Sequence, residues 1–422
     1  MILTEDQKRA IDMPFKGGVS ILTGLPGSGK STVVKDILDK ADSKGFLTKL
    51  AAPTGRAAKR LMETTGRYAS TIHSLLMPIF NGAGFSFGFN EDCPVDADLI
   101  IIDEVSMIDN NLMYSLLLAI DSTKTRLLMV GDNNQLPSVG PGNILADMIN
   151  SSVFSRVHLS TIHRNSGAIV EACSMIYQGR PYTKHKKIDL EAKNPVNFIH
   201  IDAETPEKIK NTIVKLGSEL LPDRCGFDPV SDIQVISPVN VKGEMSCEKI
   251  NKDIRVKINK NADPDKVMSI GDKVINTKNQ KMIDTNKKEQ VVVNGDIGII
   301  KEDNGSQFIV NFFDPDRSVY VKKSNNDLLL AYCITCHRFQ GSESPVIIFP
   351  IHSSFTYFAN RNWLYTAISR GKLLVITVGD LGASRRMIGN TSGNDRVTFL
   401  KTMVQNITTK NSGDFITGEL DI

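Results

Sequence analysis

Apolar positions in this chain fall into short unbroken runs, each followed by charged or glycine-bearing sequence. Residues 19–23 read VSILT and residues 98–104 read DLIIIDE. Consecutive apolar residues without alternation are what a strand buried on both faces of a parallel sheet requires. The polar residues behind such runs lie where parallel sheets place their ligands, at the carboxyl ends of the strands. A helical stretch opens at Thr32, directly after the first run and a glycine-rich turn. The pattern predicts an α/β fold built on parallel sheets.

Two stretches have a different texture. Between residues 263 and 329 the apolar pieces are short and β-rich, at 272–275, 290–293, 298–300 and 308–310. Asn294-Gly295 and Asn304-Gly305 punctuate them as turns, and the whole reads as a small β-barrel inserted in a larger domain. Within it, residues 279–290 read as a Lys-rich polar loop, a solvated surface that could also touch a polyanion. Earlier, LMPIF at 76–80 and FSFGF at 85–89 flank NGAG at 81–84. Apolar alternation in the second run and the Asn-Gly pair predict a β-hairpin carrying Phe80, Phe85, Phe87 and Phe89.

Composition narrows the class only modestly. At 422 residues and 41% hydrophobic content the chain is long enough for two to four domains, without internal repeats or low-complexity tracts. A net charge of +3 permits nucleic-acid binding without arguing for it. The opening MILTEDQKRAIDMPFKGG has no basic segment leading into an apolar one, so no secretory signal is expected. No run approaches the roughly 18 apolar residues of a membrane span. A cytoplasmic protein without membrane contact is expected. Cys333, Cys336 and His337 form C-x-x-C-H, the pattern of c-type haem attachment or of half a zinc site. No second C-x-x-C completes it, and Cys93, Cys173, Cys225 and Cys247 are scattered. In a reducing compartment such cysteines serve as small core residues.

The chemistry-bearing stretch is GLPGSGKS at residues 24–31. It is G-x-x-x-x-G-K-S between a strand and a helix, the setting a phosphate-binding loop needs. Gly24, Gly27, Ser28 and Gly29 let backbone N–H groups turn inward on a phosphate chain, and the helix N-terminus adds its positive dipole end. Lys30 would reach the β- and γ-phosphates, and Ser31, with Thr32 beside it, would hold Mg²⁺. Asp103 ends its apolar run as a second metal carboxylate, and Glu104 is placed to act as base for an attacking water. A nucleoside triphosphate and Mg²⁺ are expected here, and hydrolysis of the nucleotide is the expected reaction.

Further segments follow in a fixed order: LAAPTGRAAKR (50–60), ASTIHS (69–74), DEVSM (103–107), VGDNNQLP (130–137) and LSTIHR (159–164). Thr335, His337, Gln340 and Gly341 then form T-x-H-x-x-Q-G, and LYTAISR closes the series at 364–370. The series resembles the motifs of superfamily 1B, the RecD-like and Dda-like DNA helicases, over residues 4–380. In that light C-x-x-C-H is incidental. The resemblance implies an ATP-dependent DNA helicase that moves 5′→3′ on single strands and acts at single-strand/duplex junctions as a monomer. It gives Gln135 a γ-phosphate sensing role. It makes Arg164 and Arg370 γ-phosphate contacts supplied by a second motor domain, and sets Gly341 and Glu343 near the nucleotide. Pro53, Thr54, Arg56, Ser70, Thr71 and His73 in the first motor domain, with Thr335 and His337 in the second, would line DNA. Hydroxyls and backbone amides grip phosphates, and rings stack on bases. Two positions carry competing readings. Gln7 either closes a capping box with Thr4 or, as in the family, recognises adenine. His73 either stacks on a base or is a buried, hydrogen-bonded histidine.

The resemblance also implies an organisation. Residues 1–75 and 97–150 would form the first RecA-like motor domain, and 151–262 with 330–422 the second. Residues 263–329 would be the barrel insert. Residues 76–96 would be the hairpin, where the family places a strand-separating pin; two or three of its four phenylalanines would instead pack on the motor. Two features depart from the family. Gly371-Lys372 stands where Ala-Arg or Gly-Arg is usual, and the phosphate loop begins at residue 24, as in the compact Dda arrangement. Two rival readings are a superfamily 1A, 3′→5′ motor and a P-loop ATPase that remodels nucleoprotein without unwinding. The second has no use for the later arginines or the Thr335/His337 motif.

Overall fold

The computed structural model describes residues 3–405 apart from 82–83, 161–166, 186, 193, 393–395, 397, 399 and 403. The chain divides into two compact units, Met1–Arg164 with Ser392–Ile422, and Asn165–Thr391.

The first unit is organised by a six-stranded parallel sheet. Its strands lie in the order Ser70–Thr71, Thr48–Ala52, Leu99–Ile102, Arg126–Gly131, Val19–Gly24, Ser155–Leu159. The unbroken run LIII is buried at every position because its side chains alternate between two cores. Ile100 and Ile102 join Leu127, Met129, Met113 and Leu145 on one face. Leu99 and Ile101 join Leu128, Val130, Val33 and Ile37 on the other. The helix Lys30–Ser43 buries Val33, Val34, Ile37, Leu38 and Ala41, a single helical face.

The strand Ser155–Leu159 pairs with Val19–Gly24, so the first sheet continues beyond residue 150. The C-terminal segment from Ser392 also belongs with this unit. The boundaries expected at 150 and at the end of 330–422 therefore move to Arg164 and Thr391. Ser155–Leu159 is an edge strand with exposed, polar positions, so it lacks the apolar run that marks the central strands. The hairpin is present but shorter than residues 76–96. Pro78–Asn81 pairs with Gly84–Phe87, with Phe80 opposite Phe85 in register. Phe87 and Phe89 are half-buried and pack against the first unit's core. The side chains of Phe80 and Phe85 lie outside the described residues.

The second unit holds a five-stranded parallel sheet in the order Cys333–Thr335, Ile233–Ser237, Ser344–Ile351, Gly371–Gly379, Phe198–Asp202. Along the chain, between the helix Cys247–Ile258 and this sheet's Cys333–Thr335 strand, comes an antiparallel sheet. Its order is Asp316–Lys322, Gln307–Phe313, Ile297–Asp303, Lys273–Asn276, Leu328–Leu330. The stretch expected as a polar loop at 279–290 is mostly a ribbon, Gln280–Ile283 against Glu289–Val292. Met282 and Val292 turn inward to join Val274, Ile300, Val310 and Phe312, while the lysines stay outside. Asp284 fixes its turn by accepting from the backbone N–H groups of Asn286 and Lys288, both at 2.8 Å. The ribbon reaches the outer strand through a bridge from Asp284 to Val319. Among the described residues no pairing joins the strands Asp316–Lys322 and Leu328–Leu330, so the insert is an open sheet with a ribbon folded over it rather than a closed barrel. A buried ion pair anchors its root. Asp272 accepts from Arg255 Nε at 3.0 Å, Asn259 Nδ2 at 2.8 Å and the Ser269 N–H at 2.7 Å. Full hydrogen bonding of this kind offsets the cost of burying both charges.

Candidate nucleotide site and nucleic-acid contacts

In the first sheet Thr23 is paired with Gly131, Met129 with Ile102, and Ile102 with Ala51. The loops that follow Gly24, Ala52, Ile102 and Gly131 therefore leave from one edge, the carboxyl edge. This register brings together the phosphate loop, Pro53–Thr54, Asp103–Glu104 and the Asp132–Gln135 turn.

The phosphate loop has the backbone its glycines allow. Gly27 and Gly29 have φ of 76° and 88°, in the left-handed region. Gly24 is glycine for want of space, since a Cβ there would lie 2.5 Å from Ser28 Oγ and 3.0 Å from the Leu159 carbonyl oxygen. Ser28 is buried, and its hydroxyl has no hydrogen-bond partner. An orphaned buried donor inside a ring of inward-turned backbone fits a phosphate oxygen. Lys30 lies across the loop, its Nζ donating to the carbonyls of Gly24 at 2.6 Å and Leu25 at 3.2 Å. Ser31 and Thr32 are exposed on the first turn of the following helix.

Asp103 sits just past Ile102, with its N–H bonded to the Ala51 carbonyl at 3.0 Å. Its Oδ1 accepts from the Glu104 N–H at 2.8 Å. Desolvation, with the neighbouring Glu104 charge second, pushes the Asp103 carboxyl up to about 6. A bound divalent cation would reverse this by favouring the carboxylate. Glu104 has φ 53° and ψ 41°, left-handed for a residue with a Cβ. Such strain costs on the order of 1–3 kcal/mol and collects at functional positions. The Gln135 turn is tied by Asp132, which is buried and accepts from both Asn134 N and Asn134 Nδ2 at 3.0 Å, while Gln135 N donates to the Asp132 carbonyl at 3.2 Å. Sequence reading passed over Asp132, although an Asp two residues ahead of its turn partner is a legible signal. It also passed over His158, whose Nδ1 lies 3.0 Å from Thr23 Oγ1 and whose pKa burial holds down.

Several expected contact residues also serve as local fasteners. Gln7 is buried and closes the capping box: its Oε1 accepts from Thr4 N at 3.0 Å and its N–H donates to Thr4 Oγ1 at 3.2 Å. The capping reading is thus realised in this conformation. Thr54 caps the helix Gly55–Thr65 by accepting from Ala57 N at 3.2 Å, and Thr71 caps Ile72–Leu75 by accepting from Ser74 N at 3.1 Å. Ser70 donates to the Thr71 carbonyl at 3.2 Å. Pro53 and Arg56 are half-buried beside them. His73 is exposed, with its ring 6.0 Å from that of Phe87, so the buried-histidine alternative does not hold.

In the second unit Thr335 ends its strand and accepts from Arg338 N at 3.4 Å, and His337 is exposed. Gln340 is buried in the turn that closes at Gly341, where φ is 74°. Glu343 is 3.6 Å from Lys372, the residue at the departure from the family pattern. Arg370 is buried at the end of the helix Arg361–Ser369 and donates to the Ser342 carbonyl at 3.4 Å. Arg164 lies outside the described residues. Cys333 and Cys336 are buried, and burial drives both thiols up, Cys336 to about 12. Among the described residues no group of three or more His, Cys, Asp and Glu side chains is gathered as a metal ion would require.

A family model described as an AAA domain matches residues 2–200, and one described as a UvrD-like helicase C-terminal domain matches residues 330–378. The chain is 30% identical over 388 residues to the ATP-dependent RecD2 DNA helicase of Deinococcus radiodurans, a match covering 90% of this chain and 50% of the relative. It is 26% identical to the RecBCD enzyme subunit RecD of Mycolicibacterium smegmatis, covering 89% of this chain and 71% of that one. The chain thus spans about half the length of the RecD2 relative. In fold it is similar to a Bacteroides Pif1 helicase crystallised with ADP-AlF3 and ssDNA, with TM-score 0.56, 19% identity and 98% of each chain covered. It is similar also to Pif1 helicase from Candida albicans, with TM-score 0.55, 16% identity, and 97% and 99% covered. With RecA-like parallel sheets in both units and the motifs in order along them, the chain belongs to the superfamily 1B, RecD-like helicases.

Proposed function

We propose that this protein is an ATP-dependent DNA helicase that moves 5′→3′ along single strands and opens duplex at junctions. The observation that carries the reading is the carboxyl edge of the first sheet, where one register collects the phosphate loop, Asp103–Glu104 and the Gln135 turn. The RecD2 relative, named as an ATP-dependent DNA helicase, supports the same activity.

In this reading the loop amides, the Ser28 hydroxyl and Lys30 bind the phosphates of ATP, and Ser31 with Asp103 holds Mg²⁺. The cation supplies neutralisation of charge on the transferred phosphoryl group. Glu104 takes the proton of the attacking water. Gln135 reports the state of the γ-phosphate, and Arg370 and Arg164 are assigned to it by their motif positions. Gln7 would address adenine with its Nε2 donors and the remaining acceptor position of Oε1, since the capping box occupies only one Oε1 position with the Thr4 N–H. Thr54 and Thr71 would meet DNA phosphates with their helix-capping geometry retained, so that the N–H groups of short helices share the contact. His73, exposed beside Phe87, would stack on a base.

The test pairs ATP turnover with and without single-stranded DNA against unwinding of duplexes carrying a 5′ or a 3′ tail. Stimulated turnover with unwinding of the 5′-tailed substrate alone is expected. Unwinding from the 3′ tail would replace the polarity assignment. Stimulated turnover with no unwinding of either substrate would favour a nucleoprotein remodeller.

A further inference from the structure

A residue far along the chain is seated on the loop that follows Gln135. Arg396 Nη1 donates to the carbonyl oxygens of Gly140 at 2.7 Å and Gly142 at 3.0 Å, and lies 3.5 Å from Ser138 Oγ. Its neighbours fasten the same stretch to the same unit. Thr398 Oγ1 donates to Asp147 Oδ2 at 2.6 Å, Leu400 packs against the core, and Gln405 Nε2 donates to the Ser151 carbonyl at 3.2 Å. The described residues of this segment therefore run along the helix Ile144–Ser151, with Arg396 at the loop end.

The loop is also in contact with the segment that follows Glu104. The Asn110 N–H donates to the Pro141 carbonyl at 2.9 Å. A Cβ on Gly140 would lie 2.3 Å from Asp109 Oδ2, and one on Gly142, where φ is 108°, would lie 1.9 Å from Asn110 Oδ1. Both glycines are thus required by the closeness of Asp109 and Asn110, which begin the helix Asn110–Leu118. That helix starts directly behind the short turn Val105–Met107 next to Glu104. Residues 138–142 are therefore a packed bridge, with Gln135 entering it and the Glu104 segment lying against it. Arg396 takes up the bridge's outward carbonyls with a donor that cannot lose its charge.

We infer that Arg396 is a positioning residue for nucleotide turnover, holding this bridge so that Gln135 and Glu104 keep their places, and that the C-terminal segment thereby controls the rate of hydrolysis. The catalytic part of the inference rests on the function proposed above. Arg396 touches neither reacting group, and its effect runs through residues 138–142. Thr398 and Leu400 already anchor the segment, so the Arg396 contacts add hold on the loop more than on the fold.

The experiment uses the full chain with Arg396→Ala and Arg396→Lys, and with Arg396→Gln should the alanine protein not fold. Amide exchange across residues 132–142 is measured together with kcat and KM for ATP in the presence of single-stranded DNA. Thermal melting is the control for folding. In Arg396→Ala, exchange in the loop should rise at least about tenfold while melting stays near wild type. The kcat should fall about tenfold with KM within about twofold, the signature of lost placement rather than lost binding. Arg396→Lys should recover most of the kcat, because an ammonium can still donate to a carbonyl. Unchanged loop exchange overturns the clamp, and raised exchange with wild-type kcat overturns its role in turnover. A wild-type protein without ATPase activity would sink the proposed function instead, and the exchange measurement would still decide whether Arg396 holds the loop.

Discussion

The ammonium nitrogen of Lys30 lies 2.6 Å from the carbonyl oxygen of Gly24, on the first residue of its own loop. The loop thus supplies Lys30 with an internal acceptor, and a phosphate oxygen has to outcompete that carbonyl. A charged acceptor does so readily, since charge-assisted hydrogen bonds are about twice as strong as neutral ones. Lys30→Ala should lower ATP turnover by at least about 100-fold, as loss of a preorganised charge donor does. Phosphate release measures the turnover, and a fluorescent nucleotide measures binding. Turnover near the wild-type rate would remove Lys30 from the phosphate site.

Glu104 combines a base position with a left-handed backbone, and the two can be separated by substitution. Glu104→Gln keeps the strain and should leave stability unchanged while cutting turnover about 100-fold or more. Glu104→Asn should cut turnover as deeply but raise stability by about 1 kcal/mol, because Asn tolerates φ near 53° better than Glu. Chemical denaturation of the two variants side by side checks the contrast. Equal stability would mean the backbone at Glu104 carries no strain worth relieving.

The central strands were readable in the sequence because both faces are buried, and burial on both faces leaves an unbroken apolar run. The edge strand Ser155–Leu159 has no such constraint, so its sequence carries no apolar run to extend the first domain beyond residue 150. The ribbon near Met282 was hidden for a related reason: one inward methionine and one inward valine among lysines look like a polar loop. Thr54 and Thr71 carried their helix-capping signal locally, yet motif position alone suggested only DNA contact. Arg396 left no trace, since it binds backbone oxygens and no side-chain pattern announces such partners. The strain at Glu104 is likewise a property of backbone angles that residue type does not encode.

In the second unit, His200 is buried with its Nδ1 2.8 Å from Thr377 Oγ1 and 3.4 Å from the Tyr182 hydroxyl. Desolvation lowers its pKa below the ordinary 6.5, against the opposing pull of Asp202, with Lys184 adding to the lowering. The unfolded chain therefore binds a proton that the folded one resists. Stability from this site is complete above about pH 6.5 and is lost as pH falls from there toward the lower folded value. Urea midpoints should fall on acidification across this range in wild type, and His200→Gln should show a shallower fall. Identical slopes would place the proton uptake elsewhere.

Cys333 and Cys336 are buried thiols whose protons burial holds on. Cys336→Ser replaces a weakly polar sulfur with a hydroxyl and should cost about 1–3 kcal/mol, whereas Cys333→Ala should cost less because it adds no polar group. Both proteins should keep their DNA-stimulated ATP turnover per folded molecule. Metal analysis of the wild-type protein tests the same point, since a stoichiometric metal lost together with activity in Cys336→Ser would restore a metal role for the motif.

The hairpin divides into a rooted part and a tip, and the division sharpens the test of a pin. Phe87 and Phe89 pack against the core of the first unit, so they belong to its stability. Phe80 and Phe85 are paired in register near the turn, farther along both strands from those anchored residues. A ring at a junction could replace the stacking of a lost base pair, worth about 1–3 kcal/mol per base. Replacing residues 80–85 with a Gly-Ser turn, and leaving Phe87 and Phe89 in place, should preserve DNA-stimulated ATPase and movement on single strands but stop duplex unwinding. A second variant, Phe87→Ala, should lower the melting temperature through the cavity it opens, by a loss on the order of 3 kcal/mol for a well-packed ring and less for this half-buried one. Both variants are measured by unwinding of a tailed duplex, by ATPase and by thermal melting. Wild-type unwinding in the folded tip variant would show that the duplex is split elsewhere in the molecule. Loss of ATPase together with unwinding would show instead that the hairpin belongs to the motor.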